Sequence, residues 1–236
     1  MKKYLQLLRR LPSVLKGEDY YFRKTDGDFG NIERFGSPRY GHWSLLTDCI
    51  GQNSVVYSFG VGEDASFDLE LINRYGLCIQ AFDPTPKSIK WVRAQCFGER
   101  FVLHEYGLAA VDGEVMFNPP ENPEHVSYTM LDRPSTCDQA IHVPVKRLKS
   151  IMKILGHTHI DILKIDIEGA EYDVIDDMCK CNICPEQILV EFHHRFPFVG
   201  IAKTRRAVAL IKEMEYALIN VSSSGEEFSF VRKKRI

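Results

Sequence analysis

The stretch HIDILKIDIEGAEYDVI, residues 159–175, decides the fold. "IDILKID" reads as a strand, and "EYDVIDDMCK" directly after it has helical spacing. Between the two stand Lys164, Asp166 and Glu168, charges at the end of a run that otherwise reads as buried. Charged side chains are seldom buried without a partner or a task. Ile162, Lys164 and Asp166 share one strand face, and Asp166 falls at the carboxyl end, the edge where open α/β sheets bind ligands. Glu168 and Gly169 open the following helix, and Glu171 in its first turn reads as an acid complementing the helix dipole. Two readings stay open for Asp166 and Glu168: a site, or a Lys164–Asp166 ion pair beside a helix-start glutamate.

Outward from this stretch, strand and helix signals alternate. "SVVYSF", "LCIQAF" and "RFVLHEYGLA" read as strands, with helices over "FDLELINRYG", stopped by Gly76, and "PKSIKWVRAQCF", opened by proline. After residue 146 come a helix ("RLKSIMKILG"), the opening strand and helix, a strand ("EQILVEFHH") and a helix ("KTRRAVALIKEM"). "YALINVS" and "EFSFVRK" close the chain as an antiparallel pair. Such alternation predicts a mostly parallel sheet with helices on both faces. Residues 111–146 break the rhythm with "DGEVMFNPP", "HVSYTML" and "IHVPV", expected as a β insertion of one or two hairpins. Residues 1–52 are expected as an N-terminal helix and irregular leader packing on a domain of residues 53–236.

Composition narrows the class. The chain has 236 residues, 44% hydrophobic and 26% charged, with a net charge of -2, so one α/β domain suffices and a broad nucleic-acid surface is not expected. Lys2, Lys3, Arg9 and Arg10 near one end, and Arg232, Lys233, Lys234 and Arg235 at the other, read as solvated tails. "MKKYLQLLRRLPSVL" spaces Leu5, Leu8, Leu11 and Leu15 as a helix and lacks the pattern of a signal peptide, and no run reaches the length of a membrane span. Seven cysteines, including Cys179, Cys181 and Cys184 in "CKCNIC", complete no familiar zinc spacing and read as reduced thiols in a cytoplasmic protein. No metal ligand set is assigned, and the oligomeric state is left open.

A ligand loop sits in "YSFGVGEDASF". Gly60 and Gly62 lie between a strand and a helix, where small residues admit a ligand against the backbone. Asp83, 23 positions after Gly60 at the end of the next strand, suits a pair of ribose hydroxyls; otherwise it caps the helix after Pro84. "GVGEDA" fits a relaxed dinucleotide pattern, but Glu63 and Asp64 would repel a pyrophosphate at the helix start. The same acids suit a cationic methyl donor. In "ILVEFHHRF", Glu191 and His193 share a face near the ligand edge while His194 faces away.

"VVYSFGVGEDASFDLEL", "AFDPTP", "DILKIDIEGAEYDVI" and "QILVEFH", in this order between about Pro38 and Val231, resemble the FkbM-type S-adenosylmethionine-dependent methyltransferases, nearest their methyltransferase-like 24 branch. The resemblance implies a Rossmann-like class I fold with a seven-stranded sheet and a C-terminal antiparallel hairpin. It implies S-adenosylmethionine as donor and O-methylation of a hydroxyl on a small molecule or glycan. Gly60, Val61, Gly62 and Glu63 would then line the methionine end and Asp83 and Pro84 the ribose, with Gly107 and Leu108 completing the bed. Asp166 and Glu168 would stand at the methyl-transfer end, and His42, Trp43, Glu168 and His193 on the acceptor side. Asp166 is the first choice of base, Glu191 or His193 the second; a cofactor contact or a metal ligand are the other roles open to Asp166. Ser58 stands where many members have the first acid of the glycine loop, so Glu63 is the expected partner of the methionine amine. The alternatives are an NAD-dependent oxidoreductase or epimerase, and a non-catalytic S-adenosylmethionine-binding interaction domain.

Overall fold

The computed structural model describes residues 10–22, 29–37, 42–122, 127–131, 135–196 and 199–233. Lys2, Lys3, Leu5, Leu8, Arg9, Lys234 and Arg235 lie outside them. The strands of the main sheet are β3 (Val56–Phe59), β4 (Ile79–Phe82), β5 (Phe101–His104), β9 (Ile162–Ile165), β10 (Gln187–Glu191), β11 (Tyr216–Val221) and β12 (Glu227–Arg232). Their order is β11-β12-β10-β9-β3-β4-β5. The five strands from β10 to β5 run parallel, while β12 pairs antiparallel with both β10 and β11. This is the expected α/β class, a seven-stranded, mostly parallel sheet with a closing antiparallel hairpin.

The helices are α1 (Ser66–Tyr75), α2 (Pro86–Ala94), α3 (Leu148–Leu155), α4 (Glu171–Lys180) and α5 (Ile201–Glu213). Gly76 and Gly156 stop α1 and α3 in the left-handed region, where a residue without Cβ is unstrained. Strand alternation sorts the core into two layers. Tyr57, Leu163, Ile165 and Ile188 face α3, α4 and α5, whereas Val56, Ile79, Ile162 and Leu189 face α1 and α2. Lys164 shares the second face with Ile162 and is buried there.

The leader departs from the irregular form expected of it. β1 (Ile32–Phe35) and β2 (Trp43–Leu46) form an antiparallel pair on the α1 face of the sheet. β2 is buried along its whole length because Leu46 exchanges two hydrogen bonds with the side chain of Gln187 and Ser44 donates its amide to Ser229 Oγ. Four residues carry no period of their own, and β1 and β2 lack the neighbouring helix signals that mark the equally short β3, β4, β5 and β9. Residues 10–15 are helical, and Arg10 ties this segment to the domain through Asp19 and the Ser222 carbonyl.

The expected third strand over "RFVLHEYGLA" divides. β5 stays in the main sheet, while β6 (Gly107–Leu108) joins β7 (Gly113–Phe117) and β8 (Ile141–Lys146) in a small sheet of order β6-β8-β7. Within residues 111–146, where a β insertion is expected, β7 and β8 form one antiparallel hairpin, and β6 pairs parallel with β8. Within "HVSYTML" the described residues contribute only a bridge between Thr129 and Asn118.

Candidate active site

The order of strands reverses between β3 and β9, and a crevice opens there at their carboxyl ends. Gly60 leaves β3 with φ 79°, and a Cβ on it would lie 1.8 Å from the carbonyl oxygen of Asp166. Any other residue would force β3 and β9 apart at the point where the crevice begins. A cleft of about 610 Å³ spreads from this point. Its walls include Gly60 to Asp64, Asp83 to Thr85, Gly107, Leu108, Asp166 to Glu168 and Glu191, with Trp43 on one side and Phe117 and Tyr128 of the insertion on another.

The expected cofactor residues thus converge, but Asp83 is engaged by its own chain. Its Oδ2 accepts the amides of Val61 at 3.0 Å and Gly62 at 2.9 Å, and its Oδ1 accepts the amide and hydroxyl of Thr85 at 2.9 and 2.7 Å. Four donors fill the roughly four acceptor positions of a carboxylate. The ribose role expected of Asp83 would require it to release one of them. Here its work is to fix the glycine loop against α2. Asp64 turns inward to the Ser66 amide and hydroxyl at 2.9 and 3.0 Å, leaving Glu63 as the exposed acid at the loop.

Lys164 sits beneath the loop. Its Nζ donates to the carbonyls of Gly60 at 3.1 Å and Phe59 at 3.4 Å and lies 5.3 Å from the centre of the Trp43 ring. The ion pair weighed against a site is stretched to 4.0 Å, from Lys164 Nζ to Asp166 Oδ2. Asp68 of α1 shares this buried layer; burial pushes its carboxyl up to about 6, with Lys164 pulling the other way. The meeting of Asp68 with Lys164 does not follow from sequence, since 96 positions separate them.

Beyond the loop, His193 gathers the carboxylates. Its Nε2 lies 3.5 Å from Glu168, 3.8 Å from Asp166 and 4.0 Å from Glu191. Its Nδ1 lies 3.3 Å from Glu171 Oε1, which also accepts the His193 amide at 2.9 Å. Glu171 is fully buried and its second oxygen accepts the Gly169 amide at 2.8 Å. Glu171 stands in the first turn of α4, as its reading as a dipole-complementing acid has it, and it also locks the turn before α4 to the segment after β10. Burial opposes a charge on His193, but Glu171, Glu168 and Asp166 outweigh it and raise the imidazole well above its ordinary value. Burial and the Asp166 carboxylate push Glu191 well above the usual range, with His193 opposing them.

Glu168 reaches this cluster from a backbone at φ 53°, uncommon for a residue with a side chain. The insertion holds it there. Thr129 Oγ1 donates to the Glu168 carbonyl, and Leu131 packs so closely on Gly169 that a Cβ there would lie 2.5 Å from its Cδ1. Of the acceptor-side residues, Trp43 and Glu168 line the cleft and His193 stands behind Asp166 and Glu191, while His42 is not among the lining residues. His194 points away, 3.5 Å from Asp19, as strand alternation required. Cys181 accepts a hydrogen bond from Arg147.

No helix among the described residues is long and apolar enough to cross a membrane. The model of the FkbM methyltransferase domain matches residues 81–233. The probable methyltransferase-like protein 24 of Homo sapiens is 25% identical over 195 residues, which cover 76% of this chain and 47% of that protein. Its counterpart from Rattus norvegicus is 24% identical over 168 residues, 68% of this chain and 40% of that one. The chain therefore spans less than half the length of these curated relatives. Among solved structures, methyltransferase FkbM from Methylobacillus flagellatus KT is 12% identical with a TM-score of 0.47, over 77% of this chain and 44% of that one. Precorrin-6y C5,15-methyltransferase from Geobacter metallireducens GS-15 is also 12% identical, with a TM-score of 0.44 over 78% and 82% of the two chains. By the match over residues 81–233, this chain belongs to the FkbM methyltransferase domain family.

Proposed function

We propose that this chain is an S-adenosylmethionine-dependent methyltransferase acting on a hydroxyl of a small molecule or glycan. The observation that supports it most is the cluster of Asp166, Glu191 and His193 beside the glycine loop, at the carboxyl edge of the sheet where strand order reverses. The donor set suits this cofactor: the cleft presents bare loop backbone at Gly60 to Gly62 and carboxylates at Glu63 and Asp166, and no cationic cradle for a diphosphate among the loop residues. When bound, S-adenosylmethionine supplies a methyl group on a sulfonium, made electrophilic by the positive sulfur.

The loop Gly60–Glu63 would hold the methionine end, with Glu63 facing its ammonium. Pro84, Gly107 and Leu108 would flank the remainder, and Asp83 would keep the loop amides in place. A hydroxyl is a weak nucleophile at neutral pH, so a carboxylate at the acceptor oxygen accelerates the reaction by taking its proton. Asp166 would take this role; it lines the cleft with Lys164 on one oxygen and His193 on the other. Trp43, Phe117 and Tyr128 would exclude water around the acceptor.

Calorimetry with S-adenosylmethionine, S-adenosylhomocysteine and NADH tests the donor. Heat from the first two alone is expected; heat from NADH alone would return the chain to the oxidoreductase reading. Asp166→Asn is expected to keep donor affinity and lose turnover by about 10²–10⁴-fold. Loss of donor affinity with unchanged turnover at saturation would make Asp166 a cofactor contact.

A further inference from the structure

Three carboxylates and one imidazole crowd a volume a few ångströms across. We propose that Asp166, Glu191 and His193 bind a divalent metal cation of the Mn²⁺/Mg²⁺ class, and that the cation holds the acceptor's hydroxyl oxygens. The cation's use depends on the methyltransferase reading; the existence of its site does not.

The donor set is the first support. One carboxylate oxygen each from Asp166 and Glu191 and a ring nitrogen of His193 lie within 4.8 Å of one another. An octahedral ion at about 2.1 Å from each ligand places neighbours about 3 Å and opposites about 4.2 Å apart. The two distances from His193 Nε2, 3.8 Å to Asp166 and 4.0 Å to Glu191, are about 1 Å longer than neighbouring positions on such an ion require. Asp166 and Glu191 keep 28% and 23% of their side-chain surface exposed, so both carboxylates have room to rotate toward Nε2 and close the set. Three protein ligands leave positions open toward the cleft, as a catalytic ion requires. Mixed carboxylate and imidazole donors suit Mn²⁺ better than Ca²⁺.

The second support is His193 itself. It is 6% exposed and aims Nε2 into the acids, where its contacts are ion pairs of 3.5, 3.8 and 4.0 Å; a cation there would take the place of the proton on Nε2. Its other nitrogen is fixed by buried Glu171 at 3.3 Å. A carboxylate holding the far nitrogen of a histidine, so that the near one meets a metal, is the usual outer shell of such sites. Glu168, 3.5 Å from Nε2 and lining the cleft, would serve as a base rather than a ligand. A hydroxyl on the cation loses its proton more readily. Its O–H bond breaks, the proton passes to the Glu168 carboxylate, and the oxygen stays on the ion as alkoxide. In this form Asp166 is a ligand, not the base.

The test uses the full chain, stripped of metal and titrated with Mn²⁺ alone while the resonance of free Mn²⁺ is followed. One Mn²⁺ per chain is expected, displaced by excess Mg²⁺. Glu191→Gln and His193→Gln should each weaken it at least about tenfold, Glu171→Gln about 10–100-fold, and Asp176→Asn, at the ion pair with Arg206 of α5, not at all. No uptake at millimolar Mn²⁺, or uptake indifferent to the first two substitutions, would overturn the proposal. Should those variants fail to fold, Mn²⁺ broadening of the His193 imidazole resonances in the unaltered chain decides: broadening supports the site and its absence removes it. Donor binding is measured separately on metal-free protein. S-adenosylmethionine binding without Mn²⁺ uptake sinks the cation site alone; Mn²⁺ uptake without S-adenosylmethionine binding sinks the methyltransferase reading alone.

Discussion

Glu171 and His193 stand 22 positions apart and are joined twice, the Glu171 Oε1 atom accepting both the backbone amide of His193 and its Nδ1. The same carboxylate accepts the Gly169 amide on its other oxygen. One buried side chain thereby sets the angle of the imidazole and the path of the turn that presents Glu168.

Replacing Glu171 by glutamine preserves shape and removes an acceptor. The amide nitrogen must then face one of three N–H donors, at a cost of about 1–3 kcal/mol. A lower urea midpoint is expected, together with a displaced pH–rate profile and an unchanged KM for the methyl donor. A fall in stability with an unmoved pH profile would leave Glu171 a purely structural residue.

Gly60→Ala places a methyl group against the Asp166 carbonyl and a side chain at φ 79°. The left-handed backbone alone costs about 1–3 kcal/mol, and the clash adds to it. Differential scanning calorimetry should show a large drop in melting temperature, and titration should show no donor binding. An alanine variant with ordinary stability and affinity would refute the role of close approach at this position.

Asp68 gives a pH signature. Its folded carboxyl is raised from 3.8 to about 6, so the folded chain holds a proton that the unfolded chain has released. The corresponding stability is complete below pH 3.8 and lost as pH rises through about 6. The change is on the order of 2–3 kcal/mol. Urea midpoints against pH should show this slope in the unaltered chain and not in Asp68→Asn.

Asp19 has the opposite sign. Burial raises it, but Arg10 and Arg195 overcome burial and hold it down to about 2. Its contribution is present above pH 3.8 and fades as pH falls toward 2. Asp19→Ala leaves two guanidinium groups without their shared partner, which costs roughly 3 kcal/mol. Limited proteolysis within residues 10–22 should become faster in the variant, and equal rates would argue against a tether.

Much of the fold is legible in the sequence because the parallel strands are buried on both faces and their helices carry strong stops. Gly76, Gly156 and the proline opening α2 are local signals, and the elements follow them. The carboxyl-edge placing of Asp166 follows from strand polarity, and the shared face of Glu191 and His193 from alternation. The rest depends on contacts between distant positions. Glu171 looks like any acid in a first helical turn until His193 is brought beside it. Asp83 looks free to meet a ligand until the amides of Val61 and Gly62 fold over it. Asp68 carries no mark of its burial beside Lys164, and β1 and β2 lack the neighbouring helix signals that mark the other four-residue strands.

The hairpin of β1 and β2 has a bearing on how this protein is cut for study. Gln187 in the middle of the sheet satisfies its amide on Leu46, and Lys164 under the glycine loop has the Trp43 ring as its neighbour. A fragment starting at residue 53 would uncover an apolar sheet face and leave a buried glutamine and a buried ammonium facing water. The smallest stretch suited to expression as an autonomous unit begins upstream of Ile32.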